Sequence, residues 1–174
     1  MKNIVLVHGG LVDGAGWEGV YQILKKDGYK RQHRSLEDDV AVTRRTLASL
    51  DGESILVGHS YGGAVITEAG TAGLHRRLCS GQRRVRARSA PGPMGRGSPQ
   101  RHHQRSAWRV KPSWYLVTTE DKMIPPPAQR AMSKRVGSTV VEVKGGHAIY
   151  VSQPAAVAAL IEQATKATTT AAAQ

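Results

Sequence analysis

The chain has 174 residues, 40% of them hydrophobic, which is the size and composition of one domain around one buried core. A single cysteine, Cys79, excludes an internal disulfide, and the opening run Ile4-Val5-Leu6-Val7 is too short for a signal peptide or a membrane span. The net charge is +12, yet ten Arg and one Lys with no acid fall within residues 71–111, so one abnormal segment holds almost all of it and the rest of the chain is nearly neutral.

Ile4-Val5-Leu6-Val7 is a continuous apolar run with β-branched residues and predicts a buried parallel strand. His8-Gly9-Gly10 ends it, and a loop follows to Trp17. Residues 18–27 carry helical spacing at Val20, Ile23 and Leu24, with Gly28 as the stop. A second strand belongs at residues 30–34, although Lys-Arg-Gln-His-Arg is poor strand sequence. Residues 36–50 predict a helix with acids in its first turn. Ser54-Ile55-Leu56-Val57 predicts another buried strand, residues 58–63 a turn, and residues 64–69 the opening of a helix.

The pattern then breaks. Residues 71–107 hold no apolar run and are rich in Arg, Gly, Pro and Ser. Regular structure resumes with a strand over 114–118, a short helix over 128–135 and a strand over 139–143. An Ala-rich helix follows over 154–165, with Pro154 at its start. Residues 168–174 read as a low-complexity tail that frays. Strands alternating with helices predict an α/β fold with a mostly parallel, doubly wound sheet, in a single domain over residues 1–167.

Gly58-His59-Ser60-Tyr61-Gly62 matches Gly-x-Ser-x-Gly between a buried strand and a helix, the context of a nucleophile elbow. In so sharp a turn, side chains at positions 58 and 62 would clash with strand and helix. The strained serine backbone lifts its hydroxyl above the sheet edge. Ser60 then needs a base to lose its proton at neutral pH. Of the seven histidines, His8 and His59 sit inside the strand-end and elbow motifs and are read as shaping loops, while His33, His75, His102 and His103 lie in basic, irregular stretches. His147, in Gly145-Gly146-His147 after the last strand, stands where such a sheet puts its chemistry. The acid belongs after the preceding strand, where Glu120 and Asp121 both lie. It would hold the imidazole in one tautomer and stabilise its cation. A tetrahedral intermediate also needs oxyanion donors: the backbone N–H of Tyr61 and one from the loop around Gly10.

Together these residues resemble the α/β-hydrolase superfamily. His8-Gly9-Gly10, Gly14 and Trp17, with Gly58-His59-Ser60-Tyr61-Gly62-Gly63, look like the small bacterial esterases related to plant methyl esterases and hydroxynitrile lyases. Lys111-Pro112-Ser113-Trp114-Tyr115 through Glu120-Asp121-Lys122-Met123-Ile124-Pro125 resembles their acid segment, and Gly146-His147-Ala148 with Ser152-Gln153-Pro154 their histidine segment. The likeness covers about residues 1–29, 35–70 and 107–165. It implies ester hydrolysis without a cofactor, by Ser60, Asp121 and His147 as triad, with Gly10 and Tyr61 as oxyanion donors. It also favours Asp121 over Glu120.

The chain departs from that family at its centre. Members carry one more central strand and a helical cap between the nucleophile helix and the acid strand. Here residues 72–106 are an Arg-rich insert in their place, so the fold expected is a reduced α/β-hydrolase with its cap missing or vestigial. The insert is read as a shifted reading frame with cap sequence deleted. One codon choice for residues 74–85, read one nucleotide later, gives Tyr-Ile-Ala-Ala-Phe-Ala-Pro-Asp-Ser-Gly-Glu, an apolar strand ending in a turn. A lost central strand would displace the acid and histidine by about one strand spacing, ~4.8 Å, and break the triad. Three arrangements would restore it: a poor strand from 74–78 or 85–88, direct pairing of the acid strand with the elbow strand, or strand exchange in a homodimer.

The leading expectation is a cytoplasmic carboxylesterase or lipase-like serine hydrolase acting on a small ester. A hydroxynitrile lyase would need a cation supplied by the cap. A second class is a hydrolase-like chain with impaired catalysis and a generic basic, anion-binding segment. Aromatic residues for base stacking are nearly absent from residues 76–109, so a solvated basic loop without specific nucleic-acid binding is expected there. No cluster has metal-ligand spacing: His102-His103 with Cys79 is not a zinc pattern.

Overall fold

In the computed structural model of the chain, residues 3–10, 12–32, 39–70, 75–80, 107–109 and 111–170 are described. The strands are β1 (Asn3–Val7), β2 (Lys30–Gln32), β3 (Ser54–His59), β4 (His75–Ser80), β5 (Ser113–Thr118) and β6 (Thr139–Val143). They form one sheet in the order β2-β1-β3-β4-β5-β6, with every pairing parallel. The helices are α1 (Glu18–Lys26), α2 (Asp39–Ala48), α3 (Tyr61–Ala69), α4 (Pro126–Val136), α5 (Ile149–Ser152) and α6 (Pro154–Thr170).

Alternation along the strands splits the core in two. Ile4, Leu6, Ile55, Val57, Trp114 and Leu116 pack with Val20 and Leu24 of α1 and with Val157, Leu160 and Ile161 of α6. Val5, Leu56, Tyr115 and Val117 point the other way, onto Leu47 of α2 and Ile66 of α3. A sheet covered on both faces needs continuous apolar strands, which is why β3 and β5 are buried along their whole length. The chain winds from β1 out to β2, then returns to β3 on the other side of β1. The loops after β1 and β3 therefore diverge around a topological switch point, where open α/β sheets hold their ligands.

The gap at the centre is closed by the chain itself. β4 lies between β3 and β5, with Ser54 to His59 in register with His75 to Ser80, and Arg77 to Ser80 in register with Ser113 to Leu116. The insert thus supplies the central strand, by the first of the three arrangements but over 75–80 rather than 74–78. A parallel ladder binds backbone to backbone, so His-Arg-Arg-Leu-Cys-Ser can pair without an apolar run. Residues 72–74 and 81–106 of the insert lie outside the described residues, and with them the place of the expected cap and all of the shifted-frame segment 74–85 except β4.

Other boundaries move for local reasons. The helix expected to open at residue 64 starts at Tyr61, because one residue, Ser60, turns the chain from strand to helix. The helix expected from residue 36 is described from Asp39. α6 runs on to Thr170, into the segment read as a tail, since no Gly or Pro interrupts it. The loop before Trp17 contains a 3-10 turn, Gly14–Trp17, capped by the Asp13 side chain.

Candidate active site

The elbow follows from sterics. Ser60 has φ 51 and ψ −120, the one positive φ at a non-glycine among the described residues. That backbone costs of the order of 1–3 kcal/mol and is held by its surroundings. A Cβ on Gly58 would stand 2.6 Å from the carbonyl of Gly62, and one on Gly62 would strike the carbonyls of Val7 and His8. Bare glycine lets α3 press against the end of β1. Gly63 N–H closes the turn on Ser60 O at 3.0 Å.

The acid is held from several sides. Thr118 ends β5, and Asp121 Oδ1 accepts the backbone N–H of Met123 (2.8 Å) and of Ile124 (2.9 Å). Its Oδ2 accepts Gln129 Nε2–H at 3.0 Å, the Thr118 hydroxyl at 3.2 Å and His147 Nδ1–H at 2.9 Å. Burial pushes this carboxyl up, but the Ile124 N–H, the His147 ring and the Met123 N–H outweigh it and hold Asp121 below the usual carboxylate range. An ionised Asp121 can only accept, so His147 carries a proton on Nδ1, and the neutral form of the ring has its lone pair on Nε2.

Acid loop and histidine loop are also tied through backbone. Thr119 N–H donates to Val143 O and Glu120 N–H to Gly145 O, both at 3.0 Å, extending the β5–β6 ladder past its strands. Gln153 Nε2–H donates to Lys144 O at 2.6 Å and steadies the turn before His147. Glu120, the rival acid, is exposed and stands 3.7 Å from the exposed Lys144.

His147 reaches back across the sheet to the elbow. Its ring lies 4.7 Å from that of His59, and its carbonyl accepts His59 Nε2–H at 2.8 Å. Among the described residues no hydrogen bond joins Ser60 Oγ to His147: the structure brings Asp121 and His147 together, and it is His59, next to Ser60 in the chain, that meets the His147 loop. Catalytic hydrogen bonds are often long until a substrate is bound. Gly10 lies across from Tyr61, a Cβ on it falling 3.7 Å from Tyr61 Cβ. The N–H of Tyr61 begins α3, where backbone donors have no helical partner.

Two contributors escaped the sequence reading. Gln129 is fully buried, and besides Asp121 it bonds Thr118 N–H through Oε1 at 3.0 Å and Ile124 O through Nε2 at 2.8 Å. Its only sequence signal is a Gln and a Ser, Gln129 and Ser133, four apart on one helix. Tyr150, the second residue of α5, packs its ring 4.3 Å from His59 and 4.7 Å from Trp17. Among the described residues no group of three His, Cys, Asp or Glu could hold a metal ion, and no helix is long and apolar enough to cross a membrane.

Residues 78–160 match the alpha/beta hydrolase family. The pyrethroid hydrolase of Sphingobium wenxiniae is 36% identical over an 83-residue alignment that covers 38% of this chain and 30% of that relative's length. Among solved structures, a pyrethroid hydrolase from Sphingobium faniae superposes with TM-score 0.71 at 21% identity, covering 93% of this chain and 96% of that one. Polyneuridine aldehyde esterase gives 0.76 at 17% identity, over 94% and 99%. A methylesterase from Arabidopsis gives 0.70 at 20%, over 95% and 99%. At such identities the superpositions establish the fold.

Proposed function

The chain is a relative of the α/β-hydrolases with their fold, and from that premise we propose that it is a serine hydrolase cleaving carboxylic esters through Ser60, His147 and Asp121. The observation that carries the reading is the 2.9 Å bond between Asp121 and His147 in a loop that returns to the elbow. In the proposed cycle, His147 Nε2 takes the Ser60 hydroxyl proton as Oγ attacks the ester carbonyl carbon. The carbonyl oxygen becomes an oxyanion and accepts the N–H groups of Tyr61 and Gly10. As the tetrahedral species collapses, the C–O bond to the alcohol breaks and His147 returns the proton to the leaving oxygen. Water then repeats the sequence on the acyl-enzyme and releases the acid and free Ser60. Asp121 stays ionised throughout and stabilises the imidazolium. The esterases and pyrethroid hydrolases named above support an ester as the substrate.

A second reading is a chain of this fold without turnover, and it draws on the missing hydrogen bond between Ser60 and His147. Hydrolysis of p-nitrophenyl acetate and butyrate by the protein and by Ser60→Ala separates the two. The esterase reading expects turnover that falls at least about 10³-fold in the variant. Equal rates for both proteins would sink it.

A further inference from the structure

We propose that His59 is a positioning residue: as a neutral Nε2–H donor to the His147 carbonyl, it braces the histidine loop directly against the nucleophile elbow. The inference rests on the esterase reading for its catalytic consequence, though not for the contact itself.

Ser60 follows β3 and His147 follows β6, with β4 and β5 between them. Three strand spacings amount to about 14 Å, so the loop must cross the tops of two strands to bring its imidazole to the serine. Every in-plane route from Ser60 to His147 runs through the β4 ladder. The His59 bond supplies a second route that bypasses it. Because His59 is bonded covalently to Ser60, whatever fixes its ring also fixes the elbow relative to the loop.

The ring is fixed on several sides. It is 4% exposed. The Tyr150 ring of α5 lies 4.3 Å and the His147 ring 4.7 Å from it between centroids, and the Trp17 ring stands near-perpendicular to it at 6.5 Å between centroids. Its Nδ1 is buried and has no hydrogen-bond partner among the described residues, on the side where a Cβ on Gly9 would come within 3.1 Å. A carbonyl only accepts, so the proton must be on Nε2. Burial drives the ring down to about 4, against the raising effect of the His147 carbonyl, so at neutral pH His59 does not take up a second proton. That leaves the Ser60 proton to His147.

The test compares His59→Phe, which keeps a flat ring and removes the donor, with His59→Gln, which keeps an N–H at similar reach. Both are checked for native far-UV circular dichroism, and kcat and KM are measured on p-nitrophenyl acetate. The expected result is a kcat lower by about 10²-fold in the Phe variant with KM within about threefold, and recovery of at least about tenfold by Gln. Nitrogen-edited NMR of the unaltered protein should show His59 protonated on Nε2 alone between pH 5 and 8, with slow exchange of that proton. An unchanged kcat in a folded Phe variant, equal losses in the Phe and Gln variants, or an Nδ1–H tautomer would each overturn the proposal. If the unaltered protein shows no Ser60-dependent turnover, the esterase reading fails, and the tautomer and exchange rate still decide whether the brace exists. The same spectra decide it if the Phe variant does not fold.

Discussion

Replacing Gln129 by Met keeps the length of a fully buried side chain and strips it of its amide. Four contacts of 3.0 Å or less vanish: the acceptor for Thr118 N–H and the donors to the Thr118 hydroxyl, Ile124 O and Asp121 Oδ2. The Thr118 N–H is left buried and unpaired, which costs about 1–3 kcal/mol, and loss of a bond to an ionised carboxylate adds about 1.5–3 kcal/mol. A sum of about 2.5–6 kcal/mol is a large part of the 5–15 kcal/mol that typically separates folded from unfolded domains. Urea unfolding at pH 7 should show a much lower midpoint with an unchanged slope. Activity should suffer less, because Asp121 keeps the Met123 and Ile124 N–H groups and His147, and a kcat loss of about tenfold is expected. A destabilisation below about 1 kcal/mol would refute the claim that this glutamine organises the acid.

The His59 ring also predicts a pH dependence. Its folded value of about 4 lies below the ordinary 6.5, so below pH 6.5 the unfolded chain binds a proton that the folded chain refuses. Stability from this source is intact above 6.5, falls as pH drops, and is about 2.5 kcal/mol lower at pH 4.5. Urea unfolding of the protein and of His59→Phe at pH 7 and 4.5 should show the steeper loss in the unaltered protein, and parallel losses would contradict it. Glycines at the site should respond unequally: Gly62→Ala would drive a methyl into the carbonyls of Val7 and His8, whereas a Cβ at Gly146 meets nothing within 4 Å. Thermal melts should put Gly62→Ala several degrees below the unaltered protein and leave Gly146→Ala close to it.

Legibility in the sequence tracked hydrophobic pattern. β1, β3 and β5 were visible because Ile4 to Leu6, Ile55 to Val57 and Trp114 to Val117 are buried on both faces of a covered sheet and must be apolar. The elbow was visible because its turn tolerates only glycine at positions 58 and 62. β4 was visible only as one of three conjectures, since its place in the sheet comes from backbone pairing that leaves no mark on side-chain type. Asp121 and Glu120 are neighbours with the same chemistry, and only the turn geometry after β5 brings one of them to His147. Gln129 and His59 act through buried hydrogen bonds between distant segments, 8 and 88 residues apart in sequence, and no local period encodes those.

The β4 ladder has a consequence for how such a site tolerates change. Lateral distance across a sheet comes in whole strands, so the acid and the histidine are either in place or displaced by a full width, with no intermediate setting. A ladder reads peptide groups and is indifferent to what they carry. The centre of this sheet accordingly carries His-Arg-Arg-Leu-Cys-Ser where β3 and β5 carry apolar runs, while the lateral spacing is that of any strand. What it cannot lose is the count. Removing the six residues of β4 would move Asp121 and His147 together, by one strand width, away from Ser60.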